Sequence, residues 1–94
     1  MRIIALKTLR DFWERNPDAQ AALKFWHGKM KKGTYRTPQE VILAFKDSDT
    51  ASDDRVIFNI AKNKYRLVVR IRYDKQICWI RFLGTHKEYD KFEF

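Results

Sequence analysis

The sequence contains few of the residues on which disulfide-rich and metal-binding domains depend. It has one cysteine, three glycines, two prolines and two histidines in 94 residues. A single cysteine excludes an intramolecular disulfide, and a reducing cytoplasm fits this usage best. Cys78 lies inside the apolar run 77–80, so we expect a buried structural thiol there rather than a nucleophile.

Several signatures of catalysis and targeting are also absent. The sequence has no CxxC or HExxH metal motif, no GxSxG nucleophile elbow and no glycine-rich phosphate loop. We therefore expect no metal site, no cofactor and no nucleotide-dependent chemistry. The apolar run 1–6 is too short for a signal peptide, and no run is long enough to span a membrane, so no membrane partner is expected.

The residues that are abundant suit a small basic domain. Hydrophobic residues make up 45% and aromatic residues 15% of the chain, which predicts one domain over residues 1–94. The net charge is +8, and the segment 47–54 opposes it with four acidic and no basic residues. Such an excess indicates a polyanionic partner, either nucleic acid or an acidic protein.

Start signals and apolar spacing predict three helices in the first half of the chain. Thr8, followed by Asp11, resembles a capping box that opens a first helix. Asn16 is a suitable N-cap for a second helix, which we expect to end at Gly33. The stretch 37–40, Thr-Pro-Gln-Glu, is the start signal of a third helix.

The rest of the chain predicts a sheet. The apolar run 1–6 predicts a first strand, and a period of two predicts strands at 55–60, 65–73 and 77–83. The polar stretch 46–54 is predicted to form a surface loop. The order β-α-α-α-β-β-β indicates an α+β fold, with helices on one face of a twisted antiparallel sheet and the second face open.

The central predicted strand carries arginines on alternate positions. If its apolar residues pack on the helices, Arg66, Arg70 and Arg72 point to the open face. Arg55 and Asn59 of the preceding strand share that face. Arginine offers paired donors to phosphate and stacks on bases, which suits single-stranded RNA. The alternative is a solvated face whose arginines extend over apolar neighbours.

Titratable side chains follow the last predicted strand. Gly84 is expected to permit a sharp bend that brings the tail back over the rim of the basic face. Histidine titrates near neutrality, so His86 is the first candidate for proton transfer, and Tyr89 is the second. The two share a side only if the tail coils. The alternatives are a solvated tail and, for His27, a residue of the helix surface.

Three separated blocks of the sequence carry a resemblance to a known family. They are MRIIA with TLRDFW and NPDA near the start, RVIFNI with NKYRLV in the middle, and GTHKEYD at the end. In this order they resemble HigB-type toxins, and the YRLV block is similar to the wider RelE superfamily. The resemblance covers nearly the whole chain.

The resemblance implies both an activity and a fold. It implies an mRNA interferase toxin of a type II toxin–antitoxin module, an endoribonuclease that cleaves mRNA, generally during translation. The implied partners are mRNA, the ribosome and a HigA-type helix-turn-helix antitoxin. The implied fold is RelE-like, with RNA on the concave face of the sheet. No metal is needed, because the substrate's own 2′-hydroxyl is the nucleophile.

The resemblance also implies roles for three residues. Arg66 matches the superfamily's phosphate-contacting arginine. His86 falls where relatives place a catalytic Arg or His, and Tyr89 lies near a C-terminal tyrosine that some members use. We therefore predict Arg66, His86 and Tyr89 as the catalytic residues.

The second predicted strand departs from the family pattern. Some relatives carry catalytic lysines where Ile57 and Asn59 align here, so lysines of the following turn are the alternative source of that charge. The predicted RNA-binding residues are Arg55, Asn59, Lys62, Lys64, Arg70 and Arg72.

Two other classes of function use the same basic face. A non-catalytic RNA- or ribosome-binding module would block translation without cutting the message. A basic interaction protein would bind only an acidic partner.

Overall fold

The computed structural model describes residues 1–52 and 54–92 and contains helices on a mixed sheet. The strands are β1 (Arg2–Ile4), β2 (Ser48–Ala51), β3 (Arg55–Ile60), β4 (Tyr65–Arg72) and β5 (Ile77–Thr85). The helices are α1 (Leu6–Arg15), α2 (Gln20–Lys32), α3 (Pro38–Ala44) and α4 (His86–Lys91), with a 3₁₀ helix at Pro17–Ala19. The predicted α+β class and the helical layer on one face are confirmed.

Local signals predicted two of the helix ends correctly. The Thr37 side chain accepts a hydrogen bond from the backbone N–H of Glu40 at 3.2 Å, and α3 begins at the predicted proline. Gly33 ends α2, and its N–H donates to the carbonyl of Lys29. The threonine cap and the terminal glycine each form hydrogen bonds within one helical turn, so they depend little on the rest of the fold.

The predicted caps of α1 and α2 are wrong. Helix α1 starts at Leu6, two residues before the predicted cap Thr8. Asn16 is at the N-cap position of the 3₁₀ turn, but its side chain makes no capping hydrogen bond; its Nδ2 donates to the carbonyl of Phe12 at the end of α1. The chain after Asn16 first forms the 3₁₀ turn, and α2 proper begins at Gln20.

The predicted loop 46–54 contains a strand. Residues Ser48–Ala51 form β2, which pairs antiparallel with β3 at the edge of the sheet. An edge strand is held by backbone hydrogen bonds and tolerates polar, charged side chains, so its composition resembled that of a loop. Asp53 of this segment lies outside the described residues.

The sheet is mixed rather than wholly antiparallel. Within the described ranges its strand order is β1-β5-β4-β3-β2, and β1 runs parallel to β5 with Ile3 opposite Cys78. The chain between these strands contains the helical layer, which provides the long crossover that parallel pairing requires. The hairpins β3-β4 and β4-β5 are antiparallel as predicted, and the unpredicted β2 also pairs antiparallel with β3.

The hydrophobic core lies between the helices and one face of the sheet. Phe12 of α1 packs edge-on against Tyr65 at 5.0 Å between ring centroids, and Trp26 of α2 packs against Phe58 at 5.4 Å. Cys78 has no exposed surface, and burial raises its pKa to about 12, as expected for a structural thiol. The helices of the described ranges are all too short or too polar to cross a membrane.

The second face of the sheet is only partly open, which corrects the prediction. Val68 points to this face, yet it has no exposed surface. Its cross-strand neighbour Phe82 contacts the rings of Tyr89 and Phe92, with centroids 6.1 and 4.8 Å apart. A small second cluster under α4 therefore covers one end of this face.

Candidate functional site

Three neighbouring strands bring the first site residues together. In the register of the sheet, Arg66 of β4 lies between Asn59 of β3 and Gly84 of β5. All three are on the face opposite the helical layer. We call the sheet surface formed by Arg55, Asn59, Arg66, Arg70 and Arg72 the arginine face.

The chain does not bend at Gly84. Strand β5 continues to Thr85, and Gly84 is buried. The φ angle of Gly84 is not positive, so residues other than glycine could adopt its backbone conformation. A Cβ atom at this position would lie 2.8 Å from Cζ of Phe82 and 3.0 Å from Oε1 of Glu88. Glycine is therefore needed for the close approach of these side chains, and the predicted bend is wrong.

A capping box turns the strand into helix α4. Oγ1 of Thr85 accepts from the backbone N–H of Glu88 at 3.1 Å, and Oε1 of Glu88 accepts from the N–H of Thr85 at 2.9 Å. The hydrogen bond from the Thr85 backbone holds the pKa of Glu88 below its ordinary value. The pattern Thr-x-x-Glu was present in the sequence and predicts this helix start.

Helix α4 places both predicted proton-transfer residues at the same end of the arginine face. His86 and Tyr89 are three residues apart within the helix, so their side chains share a side. The guanidinium Cζ of Arg66 lies 4.6 Å from the centroid of the Tyr89 ring. This cation–π contact joins β4 to the helix. The coiled tail that the prediction required is present.

The cluster contains polar atoms that the fold leaves unsatisfied. Oδ1 of Asn59, Nε of Arg66 and Nε2 of His86 are buried and have no hydrogen-bond partner among the described residues. A buried polar atom without a partner destabilises the folded state, so native proteins rarely leave several together. We call Asn59, Arg66, His86 and Tyr89 the Arg66 cluster.

An RNA phosphodiester has groups that complement the side chains of this cluster. Its anionic oxygens accept from the guanidinium of Arg66. The Oδ1 atom of Asn59 is an acceptor for a ribose hydroxyl, and the imidazole of His86 accepts or donates a proton. The arrangement therefore suits an anionic substrate that carries hydroxyl groups.

The remaining arginines extend the basic surface away from the cluster. Arg55 and Arg70 are cross-strand partners, and Arg70 is exposed. Arg72 donates two hydrogen bonds to Asp74, at 3.2 and 2.6 Å, and these lower the pKa of that carboxyl group. The predicted arginines are thus aligned along one surface.

Two residues of this surface were missed by the sequence prediction. Arg81 lies in β5 at a bulge, where the pairing steps from Val68–Phe82 to Val69–Ile80. With Arg70, it lines two clefts of about 310 and 360 Å³, the second of which also includes Trp79. A bulge adds one residue to a strand, so strict alternation could not assign Arg81 to a face.

The structure separates the turn lysines from the Arg66 cluster. The ammonium group of Lys64 pairs with Asp18, whose Oδ1 also accepts from the Tyr65 hydroxyl at 2.9 Å. The ring of Tyr65 packs in the helical layer, so Lys64 points away from the arginine face. Lys62 is exposed in the β3-β4 turn. Neither lysine joins the cluster.

The second histidine lies elsewhere. His27 is partly buried on α2, and its burial, together with the charge of Lys31, lowers its pKa. In the part of the chain that the structure describes, no three His, Cys, Asp or Glu residues form a group suited to a metal ion.

Comparison with known proteins points to one family. The sequence profile of the HigB toxins, described as the RelE-like toxic component of a toxin–antitoxin system, matches residues 19–92. The chain is 32% identical to the mRNA interferase toxin HigB of Escherichia coli (strain K12) over 98% of its own length and 90% of that protein. The mRNA interferases HigB of Escherichia coli O157:H7 and of Shigella flexneri match with the same identity and coverage.

Proposed function

Because the chain belongs to the HigB toxins, the RelE-like toxic components of toxin–antitoxin systems, we propose that it is an mRNA interferase that cleaves mRNA at the Arg66 cluster. The observation that carries this proposal is the contact of Arg66 with the ring of Tyr89, beside Asn59 on β3 and at the end of the arginine face where α4 carries His86. Relatives named as mRNA interferases support mRNA as the substrate.

The proposed reaction is an internal transesterification of RNA that needs no metal. The 2′-oxygen of one nucleotide attacks the adjacent phosphorus, the P–O2′ bond forms and the P–O5′ bond breaks. One proton leaves the 2′-hydroxyl and another joins the departing 5′-oxygen. The products carry a 2′,3′-cyclic phosphate and a 5′-hydroxyl. The protein must align the attack, stabilise charge on the phosphorane and move two protons.

Each residue of the cluster has a part in this reaction. Arg66 stabilises the phosphorane charge, and its contact with the ring of Tyr89 holds the guanidinium in place. His86 is the first choice for proton transfer, because an imidazole can give or take a proton and α4 carries it at the same end of the arginine face as Arg66. Tyr89 is the second choice. Asn59 accepts from a ribose hydroxyl and so orients the nucleophile.

The cellular setting follows from the family and from the charge. We propose that cleavage is linked to translation on the ribosome, whose RNA-rich surface attracts a chain of net charge +8. The toxin family implies a cognate antitoxin. We propose a HigA-type helix-turn-helix protein in that role.

Paired substitutions test the proposal. Arg66→Ala and His86→Ala should each lower the rate of mRNA cleavage by about 10²–10³-fold, as expected for loss of one preorganised group. The matched controls are Arg10→Ala, an exposed arginine of α1, and His27→Ala, the histidine of α2. Both controls should retain the wild-type rate. Full activity and toxicity in both cluster variants would overturn the proposal.

The rival is a non-catalytic module that binds RNA or the ribosome. The exposed arginines Arg70 and Arg81 favour RNA binding and do not require a cleavage step. Mapping of RNA ends in cells after induction separates the two functions. New discrete 5′ ends support cleavage, whereas arrested translation of intact message supports the binding module.

A further inference from the structure

A groove on the arginine face lies outside the Arg66 cluster and has no role in the proposed cleavage step. It has a volume of about 360 Å³ and is lined by Arg70, Arg72, Trp79 and Arg81. Arg70 and Trp79 are directly opposed across β4 and β5, so the tryptophan lies beside an arginine at the floor of the groove.

Trp79 differs from the core tryptophan in its surroundings. Trp26 is 2% exposed and packs on Phe58 inside the core. Trp79 points to the opposite face and is only partly buried. An indole ring in a groove of arginines is a feature of proteins that hold single-stranded nucleic acid, since bases stack on aromatic faces while cations contact the backbone.

The arginines of the groove are arranged for such a strand. Arg72 is held by Asp74 through two hydrogen bonds, which fix its position at the end of β4. Arg81 is the extra residue of the bulge in β5, Arg70 lies opposite Trp79 on β4, and both are exposed. Both can therefore reach phosphates on the two sides of a base that rests on Trp79.

The groove lies at a distance from the cleavage cluster that an RNA strand can span. Arg66 and Arg70 are four residues apart on β4, which corresponds to about 13 Å at the usual rise of a strand. This distance exceeds the separation of adjacent phosphates in RNA. If the scissile phosphate of the RNA lies at Arg66, the nucleotide that reaches Trp79 is therefore not the adjacent one but one further along the RNA.

We propose that Trp79 is a stacking site for one base of the single-stranded RNA substrate, with Arg70 and Arg81 contacting the flanking phosphates. The proposal rests on the proposed function, because the RNA is taken to be the strand that the Arg66 cluster cleaves. Trp79, which is remote from the reacting phosphate, would therefore contribute to the affinity for RNA and to the preference among bases at one flanking position.

A double-mutant cycle between protein and RNA tests the stacking. The probe is a fluorescent single-stranded RNA oligonucleotide with 2′-deoxyribose at the scissile position, so that it binds without being cut. A single abasic residue is moved along this oligonucleotide. Affinity is measured by fluorescence anisotropy for the wild type, Trp79→Ala and Trp79→Phe.

The expected results are specific to one position. Trp79→Ala should weaken binding by about tenfold, because it removes one stacked base. Trp79→Phe should retain most of the affinity, because a phenyl ring can still stack on the base. An abasic residue at one flanking position should weaken binding of the wild type by a similar factor, with no further loss in Trp79→Ala. The control Phe25→Ala removes an aromatic ring that is 70% exposed on α2, and it should bind like the wild type.

Two outcomes overturn the stacking site. One is equal affinity of the wild type and Trp79→Ala for the oligonucleotide, including the case in which neither binds. The other is an equal abasic penalty in both proteins at every position. Cleavage that depends on Arg66 and His86 would still stand in either case, since those variants test the proposed function separately.

Discussion

The guanidinium of Arg66 and the ring of Tyr89 are in contact, with Cζ 4.6 Å from the ring centroid. One residue belongs to the central region of the sheet and the other to the short helix that follows the last strand. The contact therefore links the position of the proposed phosphate-binding group to the folding of α4. Changes that displace α4 should act on catalysis through Arg66 as well as through His86.

Substitutions of Tyr89 separate its ring from its hydroxyl. Tyr89→Ala removes the contact with Arg66 and should lower the cleavage rate by about 10²-fold. Tyr89→Phe keeps the ring and should retain the rate within about tenfold, because we assign proton transfer first to His86. Single-turnover cleavage of mRNA is the measurement. A Tyr89→Phe variant as inactive as Tyr89→Ala would assign the proton step to the hydroxyl instead.

Gly84 and Gly28 form a matched pair for the effect of an added methyl group. At Gly84 the new Cβ would meet Phe82 at 2.8 Å, so Gly84→Ala should destabilise the fold by about 1–3 kcal/mol. It should also reduce cleavage, because α4 must shift. A Cβ at Gly28 would have no atom within 4 Å apart from the backbone of its own helix, and Gly28→Ala in α2 should stabilise the fold by about 0.5–1 kcal/mol. Urea unfolding measures the free energy of unfolding of both variants. Equal changes at the two sites would contradict the close packing of Phe82 and Glu88 around Gly84.

Stability should depend on pH through Asp18. Hydrogen bonds from Lys64 and then Tyr65 lower the pKa of this carboxyl group in the folded state. Between the folded value and the unfolded value of about 3.9, the native state binds fewer protons than the unfolded state. The contribution of Asp18 is therefore complete above the unfolded pKa and is lost as the pH falls through the folded pKa.

Asp18→Asn should consequently lower the stability at neutral pH and make the acid decline shallower than that of the wild type. Urea midpoints across a series of acidic pH values measure this. Asp11→Asn is the control, since the pair of Asp11 with Lys7 lies on the exposed surface of α1 and such pairs contribute little. Parallel pH profiles for Asp18→Asn and the wild type would be inconsistent with the ion pair.

Cys78 should be unreactive in the folded protein. Burial raises its pKa to about 12, so almost no thiolate exists at pH 8, and the side chain has no exposed surface. A thiol reagent should label the protein only after urea unfolds it. Rapid labelling of the folded chain would show that β5 opens locally near Cys78.

Local signals and strict alternation predicted much of the fold. The cap at Thr37 and the end at Gly33 act over a few residues, and the alternation of β3 and β4 reflects one buried face. Strand β2 escaped prediction because pairing at a sheet edge depends on backbone groups of β3 rather than on its own side chains. The parallel pairing of β1 with β5 depends on residues far apart in sequence, which no local pattern reports.

The site was predictable to the extent that its residues follow alternation or a known motif. Arg66 and Asn59 were assigned to one face by the period of two, and the structure brings them together. Helix α4 was missed, although Thr85 and Glu88 have capping-box spacing, because six residues give too short a pattern for helical periodicity. The pairing of Lys64 with Asp18 joins residues 46 positions apart, so charge composition alone could not show that Lys64 lies away from the Arg66 cluster.

The chemistry of the RNA ends tests the central proposal most directly. The purified chain is added to translating ribosomes, and the termini of the cleaved mRNA are identified by mass spectrometry. Attack by the 2′-hydroxyl at the Arg66 cluster predicts 2′,3′-cyclic phosphate and 5′-hydroxyl ends that are absent with His86→Ala. Ends with 3′-hydroxyl and 5′-phosphate groups, or intact mRNA with the wild-type chain, would contradict it.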